Sequence, residues 1–208
     1  MIYNEDCLET IKRENINFDY IFCVPPDFSE LGLNPEDPNY FNWLETVFLS
    51  LTRKTDLITI AITDRKYDSR IIPKHFHIIK IFEKFGWNTI SLKIWHKSTK
   101  INLFRLNYTN IMTFSSNKKV KQNHPKEYEY DVYLVKEDKY KTFKFGFPTE
   151  IVSHFINNFT QPNDIVYDPF MGSGTTAIAA LKNNRQYLGS EINKETFDLC
   201  LDRVKNHI

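Results

Sequence analysis

Two hydrophobic periods alternate along the chain. The segment FDYIFCV (18–24) is an almost unbroken apolar run, which predicts a buried strand. PKHFHIIKIFEKFG (73–86) instead has apolar residues at helical spacing, with Pro at its start and Gly at its end, as is typical of helix boundaries. Because strand and helix patterns follow each other in turn, the chain predicts a mostly parallel sheet with helices on both faces. The predicted strands are 18–24, 56–63, 87–97, 108–114, 127–136, 164–168 and 186–190, and the predicted helices are 39–52, 73–86, 148–159, 174–184 and a last one from residue 194.

The segments between these elements show no domain boundary. Residues 29–40 are rich in Pro, Asn and Asp, and residues 115–126 are polar and basic, so both are predicted to be loops. The chain has 208 residues, of which 41% are hydrophobic, and this is enough for one domain with a full core. It contains no run of 18 apolar residues, and its first residues carry acids where a signal peptide would carry basic residues. We expect an intracellular protein without a membrane span, cytoplasmic in a bacterium and nuclear or viral in another source.

Charge is distributed unevenly, although the formal net charge is only +1. Residues 1–64 carry twelve Asp or Glu and four Lys or Arg, whereas residues 84–126 carry nine Lys or Arg and no acid. Such a basic segment predicts contact with phosphates, and a solvated lysine-rich surface is the alternative. The candidate nucleic-acid contacts are Lys97, Lys100, Arg105, Lys118, Lys119 and Lys121.

The three cysteines, Cys7, Cys23 and Cys200, are far apart in the sequence and show no paired spacing. An odd number without a motif favours buried free thiols over a disulfide, a redox pair or a metal site. We therefore expect no metal.

The segment DIVYDPFMGSGTTAIAALKNNRQYLGSEI (164–192) has the pattern of a strand, a glycine loop, a helix and a second strand that ends in an acid. Gly172 and Gly174 allow the backbone to approach a ligand, and Glu191 stands where an acid binds ribose hydroxyls. The unit therefore predicts a cofactor that contains adenosine. Asp168 precedes the loop, where a carboxylate suits the ammonium of S-adenosylmethionine (SAM) better than a pyrophosphate, so SAM is favoured over NAD. A turn-capping role for Asp168 is the alternative.

The motifs DPFMGSGTT and GSEIN resemble the SAM-binding half of the DNA amino-methyltransferases. The catalytic motif precedes the SAM motif, as in the beta class, and the resemblance covers nearly the whole chain. It implies a Rossmann-like SAM-dependent methyltransferase fold with circularly permuted motif order, and a largely parallel seven-stranded sheet with an antiparallel strand. It also implies one domain, 1–208, made of a catalytic-motif half (1–115), a short variable basic segment (116–147) and a SAM-binding half (148–208).

The resemblance assigns cofactor contacts to particular residues. Glu191 would hold the ribose, Asp6 and Cys7 would lie near the adenine, and Thr149 would lie near the methionine carboxylate. For Phe170, the aromatic residue of the loop, core packing is the alternative. The residues expected to line the methionine and the loop are Asp168, Phe170, Gly172, Gly174 and Thr175.

The catalytic strand departs from the family motif, which is Asp, Asn or Ser, then Pro-Pro, then Tyr, Phe or Trp. In that motif a side-chain oxygen and a proline carbonyl accept the two N–H bonds of the target amine, while the aromatic ring stacks on a flipped base. This chain has Val24, which lacks an acceptor, and Asp27, which lacks a ring, around Pro25 and Pro26. One backbone acceptor therefore survives. Asp27 as a substitute acceptor and Phe28 as a substitute ring are open alternatives, although two prolines restrict the first and core packing competes with the second.

Three interpretations remain open: an active SAM-dependent methyltransferase on DNA, a catalytically inactive subunit, and an enzyme with another substrate. Loss of one preorganised hydrogen-bonding group costs roughly 2.7–4 kcal/mol, and loss of a stacking ring roughly 1–3 kcal/mol. We expect weak or absent activity for the altered motif, DNA as a partner, and either a homodimer or a heterodimer with an active paralogue.

Overall fold

The structure, a computed structural model, describes residues 1–13, 15, 17–97, 106–123, 130–139 and 146–207. Its strands are β1 (Ile2–Tyr3), β2 (Tyr20–Cys23), β3 (Leu57–Ile62), β4 (Arg65–Tyr67), β5 (Arg70–Ile72), β6 (Asn88–His96), β7 (Tyr108–Ser115), β8 (Val132–Tyr133), β9 (Ile165–Asp168) and β10 (Gln186–Ser190). Its α-helices are α1 (Cys7–Arg13), α2 (Asn39–Leu51), α3 (Lys74–Lys84), α4 (Thr149–Phe159), α5 (Thr175–Lys182) and α6 (Lys194–Lys205), and a short 3₁₀ helix spans Phe28–Leu31.

Eight of the strands form one sheet in the order β1-β10-β9-β2-β3-β7-β6-β8. The strands from β1 to β3 in this order are parallel, and β7 runs antiparallel to both of its neighbours. The mixed, mostly parallel α/β prediction is confirmed. The sheet has eight strands and not seven, because β1, with only two residues, is too short to produce a readable hydrophobic pattern.

Both faces of the central strands are buried, which explains why β2 reads as a continuous apolar run. Ile21 and Cys23 pack into a core that also holds the apolar residues of α1, α2 and α3. Tyr20 and Phe22, which alternate with them, pack into a second core with α4 and α5. The sheet therefore has helices on both faces, as the alternating pattern predicted.

The predicted elements agree with the observed ones to within a few residues at most ends. Of the predicted strand 127–136, residues 127–129 lie outside the described residues, and β8 spans only Val132–Tyr133. Besides β1, the sequence pattern missed three local features. These are helix α1, the 3₁₀ helix directly after the proline pair, and a two-stranded hairpin formed by β4 and β5. The hairpin is polar, its strands have three residues each, and its turn residues Asp68 and Ser69 have positive φ angles. Such short polar strands do not show the period-two alternation on which strand prediction depends.

All three cysteines are buried and free, which confirms the prediction made from their spacing. Within the ranges that the structure describes, no helix has the length and apolar character needed to cross a membrane.

Candidate cofactor cavity and catalytic motif

A cavity of about 490 Å³ opens at the edge of the sheet where the parallel strands end. Its wall combines residues that follow the carboxyl ends of β1, β2, β9 and β10, together with residues of the 3₁₀ helix and α2. Ligands of open α/β sheets bind at this edge, in the crevice outside the strand ends. Five of the residues predicted to bind the cofactor line the cavity, namely Asp6, Cys7, Phe170, Gly172 and Glu191.

Glu191 organises the polar side of the cavity. Its Oε2 accepts a hydrogen bond from the backbone N–H of Gly172 at 2.9 Å, and its Oε1 accepts one from Asn193 at 2.8 Å. One carboxylate thus joins the glycine loop to the segment after β10. Gly172 adopts φ +51°, in the left-handed region, and a Cβ there would meet only the Phe170 carbonyl, at 3.7 Å. The backbone at this position is therefore open toward the cavity.

Asp168 lies behind the cavity and not on its lining. Its Oδ1 accepts a hydrogen bond from the Phe170 N–H at 2.9 Å, and its Oδ2 accepts one from the Thr176 hydroxyl at 2.6 Å. Burial raises the pKa of this carboxyl to about 7, against the two hydrogen bonds, and the charge of Glu191 acts in the same direction as burial. These contacts are those of a turn-capping residue, which was the alternative to a contact with the cofactor.

Gly174 and Thr175 also lie outside the cavity lining. Gly174 has φ +82°, and a Cβ there would be 2.7 Å from Cys200 Sγ and 3.0 Å from Val204, so α6 packs directly against it. Thr175 is buried and accepts a hydrogen bond from Arg203 Nη1 at 3.3 Å. The glycine is needed here for the packing of α6, and the cofactor contacts of both residues stay predictions.

Thr149, predicted near the methionine carboxylate, begins α4 and lines a different, more polar depression with Asp138 and Lys139. Its backbone N–H donates to Asp138 Oδ2 at 2.9 Å, and its hydroxyl donates to the same oxygen. The structure therefore does not bring Thr149 together with the loop and Glu191.

Asp6 and Cys7 have both structural roles and positions on the cavity wall. Asp6 Oδ1 accepts a hydrogen bond from the Leu8 N–H at 2.8 Å, which stabilises the start of α1. Burial raises the pKa of the Cys7 thiol to about 12, and the charge of Asp6 adds to the effect. Cys7 is therefore a neutral wall residue and not a nucleophile.

At the catalytic motif, Val24 and Pro26 line the cavity, and Val24 is 37% exposed. The Tyr40 hydroxyl donates a hydrogen bond to the carbonyl of the second proline, Pro26, at 2.9 Å, whereas the family motif uses the carbonyl of the first proline as its acceptor. Pro25 is buried. The apolar side chain of Val24 thus faces the place where the family motif has its polar acceptor.

Asp27 turns away from the cavity and pairs with Lys74, the first residue of α3. The distance from Asp27 Oδ2 to Lys74 Nζ is 2.8 Å, and the lysine side chain is only 3% exposed. Burial by itself raises the pKa of Asp27, but the hydrogen bond and charge of Lys74 outweigh it, and the pKa is lowered. Asp27 also caps the 3₁₀ helix in a reciprocal box with Glu30. Movement of Asp27 toward a substrate would leave a buried ammonium without its partner, so the structure argues against Asp27 as a substitute acceptor.

Phe28 is fully buried, and its ring centroid is 4.1 Å from that of Tyr40. The prediction of a core aromatic is confirmed, and a flipped base has no access to this ring.

The predicted nucleic-acid contacts fall at opposite edges of the sheet. Lys97 follows β6 at the carboxyl edge and donates to the Thr63 hydroxyl at 2.7 Å, and burial lowers its pKa. Lys118, Lys119 and Lys121 follow β7, whose last residue pairs with Leu57 at the beginning of β3. A six-residue strand separates these edges by roughly 20 Å. The described candidates therefore do not form one continuous surface, their contacts with nucleic acid stay predictions, and Lys100 and Arg105 lie outside the described residues.

A family model described as DNA methylase matches residues 15–202. The chain belongs to the DNA methylase family. The match covers both the motif half and the loop half, so it confirms the resemblance seen in the sequence.

Individual relatives of the family show the same similarity over different lengths. The chain is 30% identical to the type II methyltransferase M.MjaI of Methanocaldococcus jannaschii in an alignment of 181 positions that covers 71% of the chain and 60% of that protein. It is 50% identical to the orphan methyltransferase M.BamHII of Bacillus amyloliquefaciens over 62 residues, which are 30% of the chain and 23% of that protein. These alignments span less than two thirds of either relative. The solved M1.HpyAVI–SAM complex has 24% identity, a TM-score of 0.75 and 98% coverage of both chains, which confirms the fold.

Sequence reasoning missed four residues around this family's motif: Glu30, Tyr40, Trp43 and Lys74. Trp43 and Glu30 line the cavity, and the other two contact the motif itself. In α2 the aromatic residues lie at helical spacing, which predicts core positions and gives no signal of a cavity. Lys74 directly follows the proline that begins α3, where a lysine is expected in solvent.

Proposed function

We propose that the chain binds SAM in the cavity at the carboxyl edge of the sheet, as a member of the DNA methylase family. The observation that carries the proposal is the Glu191 carboxylate, which joins the glycine loop to the segment after β10 and lies on the cavity wall. A carboxylate at the end of the second strand suits the hydroxyls of a ribose. The SAM complex of M1.HpyAVI, which shares the fold, supports the choice of cofactor.

We further propose that the acceptor is an exocyclic amino group of a DNA base, and that transfer is slow. When bound, SAM supplies an electrophilic methyl group. The residues of this chain would orient the amine, whose lone pair is delocalised into the base ring. The Pro25 carbonyl can accept one N–H, but Val24 presents only methyl groups to the other. Since removal of one preorganised group costs roughly 10²–10³-fold in rate, a rate reduced by at least this factor is expected.

A second candidate function is a SAM-binding subunit that does not catalyse transfer. The buried Lys74–Asp27 pair favours it, because the position of the stacking ring is filled by a residue that stabilises the fold. In this case the chain would act beside a partner, either a second copy or an active paralogue, and would contribute cofactor or DNA binding.

Isothermal titration calorimetry with SAM and with S-adenosylhomocysteine tests the cofactor proposal. We expect Glu191→Ala to weaken binding by roughly 100-fold or more, because hydrogen bonds to charged groups contribute roughly 1.5–3 kcal/mol each. Glu195→Ala is the matched control, since Glu195 is an exposed acid on α6 that does not line the cavity. Equal affinities of the two variants would refute the assignment of Glu191, and no binding by the unmodified chain would refute the cofactor.

Transfer of tritiated methyl groups from SAM to unmethylated DNA separates the two candidate functions. Incorporation that depends on both DNA and Glu191 supports slow catalysis. If calorimetry shows binding but no label enters DNA, the non-catalytic subunit is supported.

A further inference from the structure

One wall of the cavity is aromatic, and part of it comes from α2, which carries none of the predicted cofactor contacts. Trp43 on α2 lines the cavity together with Val24, Leu31 and Phe170. Val24 and Leu31 are 37% and 38% exposed, so this side of the cavity presents apolar surface to any ligand inside it. Glu191 is a polar member of the same lining.

Trp43 lies at the margin of the core and not within it. On the same helix, Tyr40 and Leu44 are fully buried, whereas Trp43 is half-buried. Its ring centroid is 5.6 Å from that of Phe170, with the two planes inclined by 48°, and 6.2 Å from that of Tyr40. Two inclined rings form an angled wall, on which a flat ligand ring can stack against one and meet the edge of the other.

The polar atom of Trp43 is also available. Buried tryptophan N–H groups usually find an acceptor, and Trp95 donates to the Val135 carbonyl at 2.8 Å. For Trp43, no such bond to another described residue is present, so its N–H can serve a ligand. The helix holds the ring in place, so stacking on it requires little ordering of the protein.

We propose that Trp43 is a ligand-binding residue of this cavity, and that its indole is the surface on which a planar nucleobase ring stacks. The proposal rests on the proposed SAM site and extends it, since the adenine ring of the cofactor is the expected occupant. A flipped DNA base has the same ring chemistry and is the other source. In either case the fully buried Phe28 is not the stacking ring of this site.

The fluorescence of Trp43 provides the test. The chain has three tryptophans, and Trp87 and Trp95 are buried away from the cavity. The unmodified chain is titrated with S-adenosylhomocysteine, with adenosine, and with an unmethylated DNA duplex, and its emission is recorded beside calorimetry. Trp43→Phe, which keeps an aromatic ring, Trp43→Leu, which removes it, and Trp87→Phe as control are titrated in the same way.

We expect S-adenosylhomocysteine and adenosine to change the emission of the unmodified chain and of Trp87→Phe, but not that of Trp43→Phe. By calorimetry, Trp43→Phe should bind within about threefold of the unmodified chain, and Trp43→Leu roughly 10- to 100-fold more weakly, the range for loss of one stacked base. If only DNA produces the Trp43-dependent change, the stacked ring is the target base and Trp43 remains the stacking surface.

Two results would overturn the proposal, and they differ in what else they imply. If S-adenosylhomocysteine binds by calorimetry while neither it nor DNA changes the emission of Trp43, the stacking role is wrong and the SAM site stands. If no ligand binds to the unmodified chain, the SAM site and the stacking role both fail. Trp43→Phe keeps the test valid even if Trp43→Leu does not fold.

Discussion

The two sides of the cavity use carboxylates in opposite ways. On the loop side, Glu191 bonds two backbone amides and remains on the cavity wall. On the motif side, Asp27 also follows a strand end, but its carboxylate turns to Lys74 and away from the cavity. The difference shows that one carboxylate after a strand end is held on the cavity wall by backbone amides, whereas the other is held away from it by a buried lysine.

Under the proposed function, the same comparison separates the binding of the cofactor from the chemistry at the amine. The loop side needs backbone geometry, which glycines and internal hydrogen bonds maintain. The motif side needs an oxygen and a ring at two particular positions, and Val24 and Asp27 supply neither. Cofactor binding can therefore persist while the chemistry at the amine is weakened.

The largest effect is expected when the ion pair on the motif side is broken. Asp27→Ala leaves the Lys74 ammonium buried and should lower the free energy of unfolding by about 3–5 kcal/mol. Denaturant unfolding measures this. The control Glu9→Ala removes the exposed pair with Lys12 and should change the free energy of unfolding far less, because solvent screens exposed ion pairs. Equal losses in the two variants would show that burial does not distinguish the pairs.

On the loop side, the buried carboxyl of Asp168 makes stability depend on pH. Its pKa is raised from 3.8 to about 7 by burial, so the folded chain binds a proton that the unfolded chain releases. The free energy of unfolding should therefore fall as the pH rises from 3.8 to about 7, and stay level above that range, by up to about 4 kcal/mol.

Asp168→Asn isolates this contribution, because the amide keeps the shape of the side chain and does not titrate. Unfolding of both proteins is measured at several pH values, and the stability of the unmodified chain relative to the variant should decline across that window. Parallel pH profiles would contradict the raised pKa.

Restoring the missing acceptor should sharpen the contrast between binding and catalysis. Val24→Asp places a carboxylate at the motif position and should raise methyl transfer to DNA by roughly 10²-fold or more. SAM affinity should change little, because the glycine loop is untouched. Val24→Leu, without an oxygen, is the control, and a gain in both variants would exclude hydrogen bonding as the cause.

Restoring the aromatic ring of the family motif at position 27 requires a second substitution at Lys74, because Asp27→Tyr alone removes the partner of that lysine. In a Val24→Asp background, Asp27→Tyr should therefore reduce stability, and adding Lys74→Met should restore it. The triple variant then tests the complete family motif in the tritium assay. A stable double variant without Lys74→Met would contradict the role assigned to the ion pair.

A smaller effect distinguishes the two glycines of the loop. Both glycines have a positive φ, but Gly174→Ala also brings Cβ to 2.7 Å from Cys200 and should cost about 1–3 kcal/mol of stability. Gly172→Ala makes only an ordinary contact with the Phe170 carbonyl at 3.7 Å, so it carries only the strain of its φ. For SAM affinity we expect the reverse order, since only Gly172 lines the cavity. Thermal unfolding of both variants measures which one loses more stability, and calorimetry measures which one loses more SAM affinity.

The smallest effect concerns the lysines at the opposite edge of the sheet. Replacing Lys118, Lys119 and Lys121 together by Ala should leave DNA affinity and its salt dependence nearly unchanged, because they follow β7 at the far end of β3. Lys97→Ala, at the carboxyl edge, is the comparison. A large loss of affinity in the triple variant would show that DNA reaches both edges.

The amino-acid sequence by itself determined the α/β class, the glycine loop with Glu191, and the chemical loss at Val24. These follow from periodicity and residue type within short segments, where each strand or helix carries its own signal. Even the buried state of the three cysteines could be predicted from their spacing.

Only the tertiary structure decided which partner each side chain takes. Asp27 pairs with Lys74 across 47 positions of sequence, Tyr40 donates to the Pro26 carbonyl, and Trp43 lines the cavity from the margin of the core. Likewise, because β7 runs antiparallel to β3, Lys118, Lys119 and Lys121 lie at the edge of the sheet away from the motif. Such contacts join distant elements whose approach depends on the packing of the whole sheet, so no local pattern encodes them.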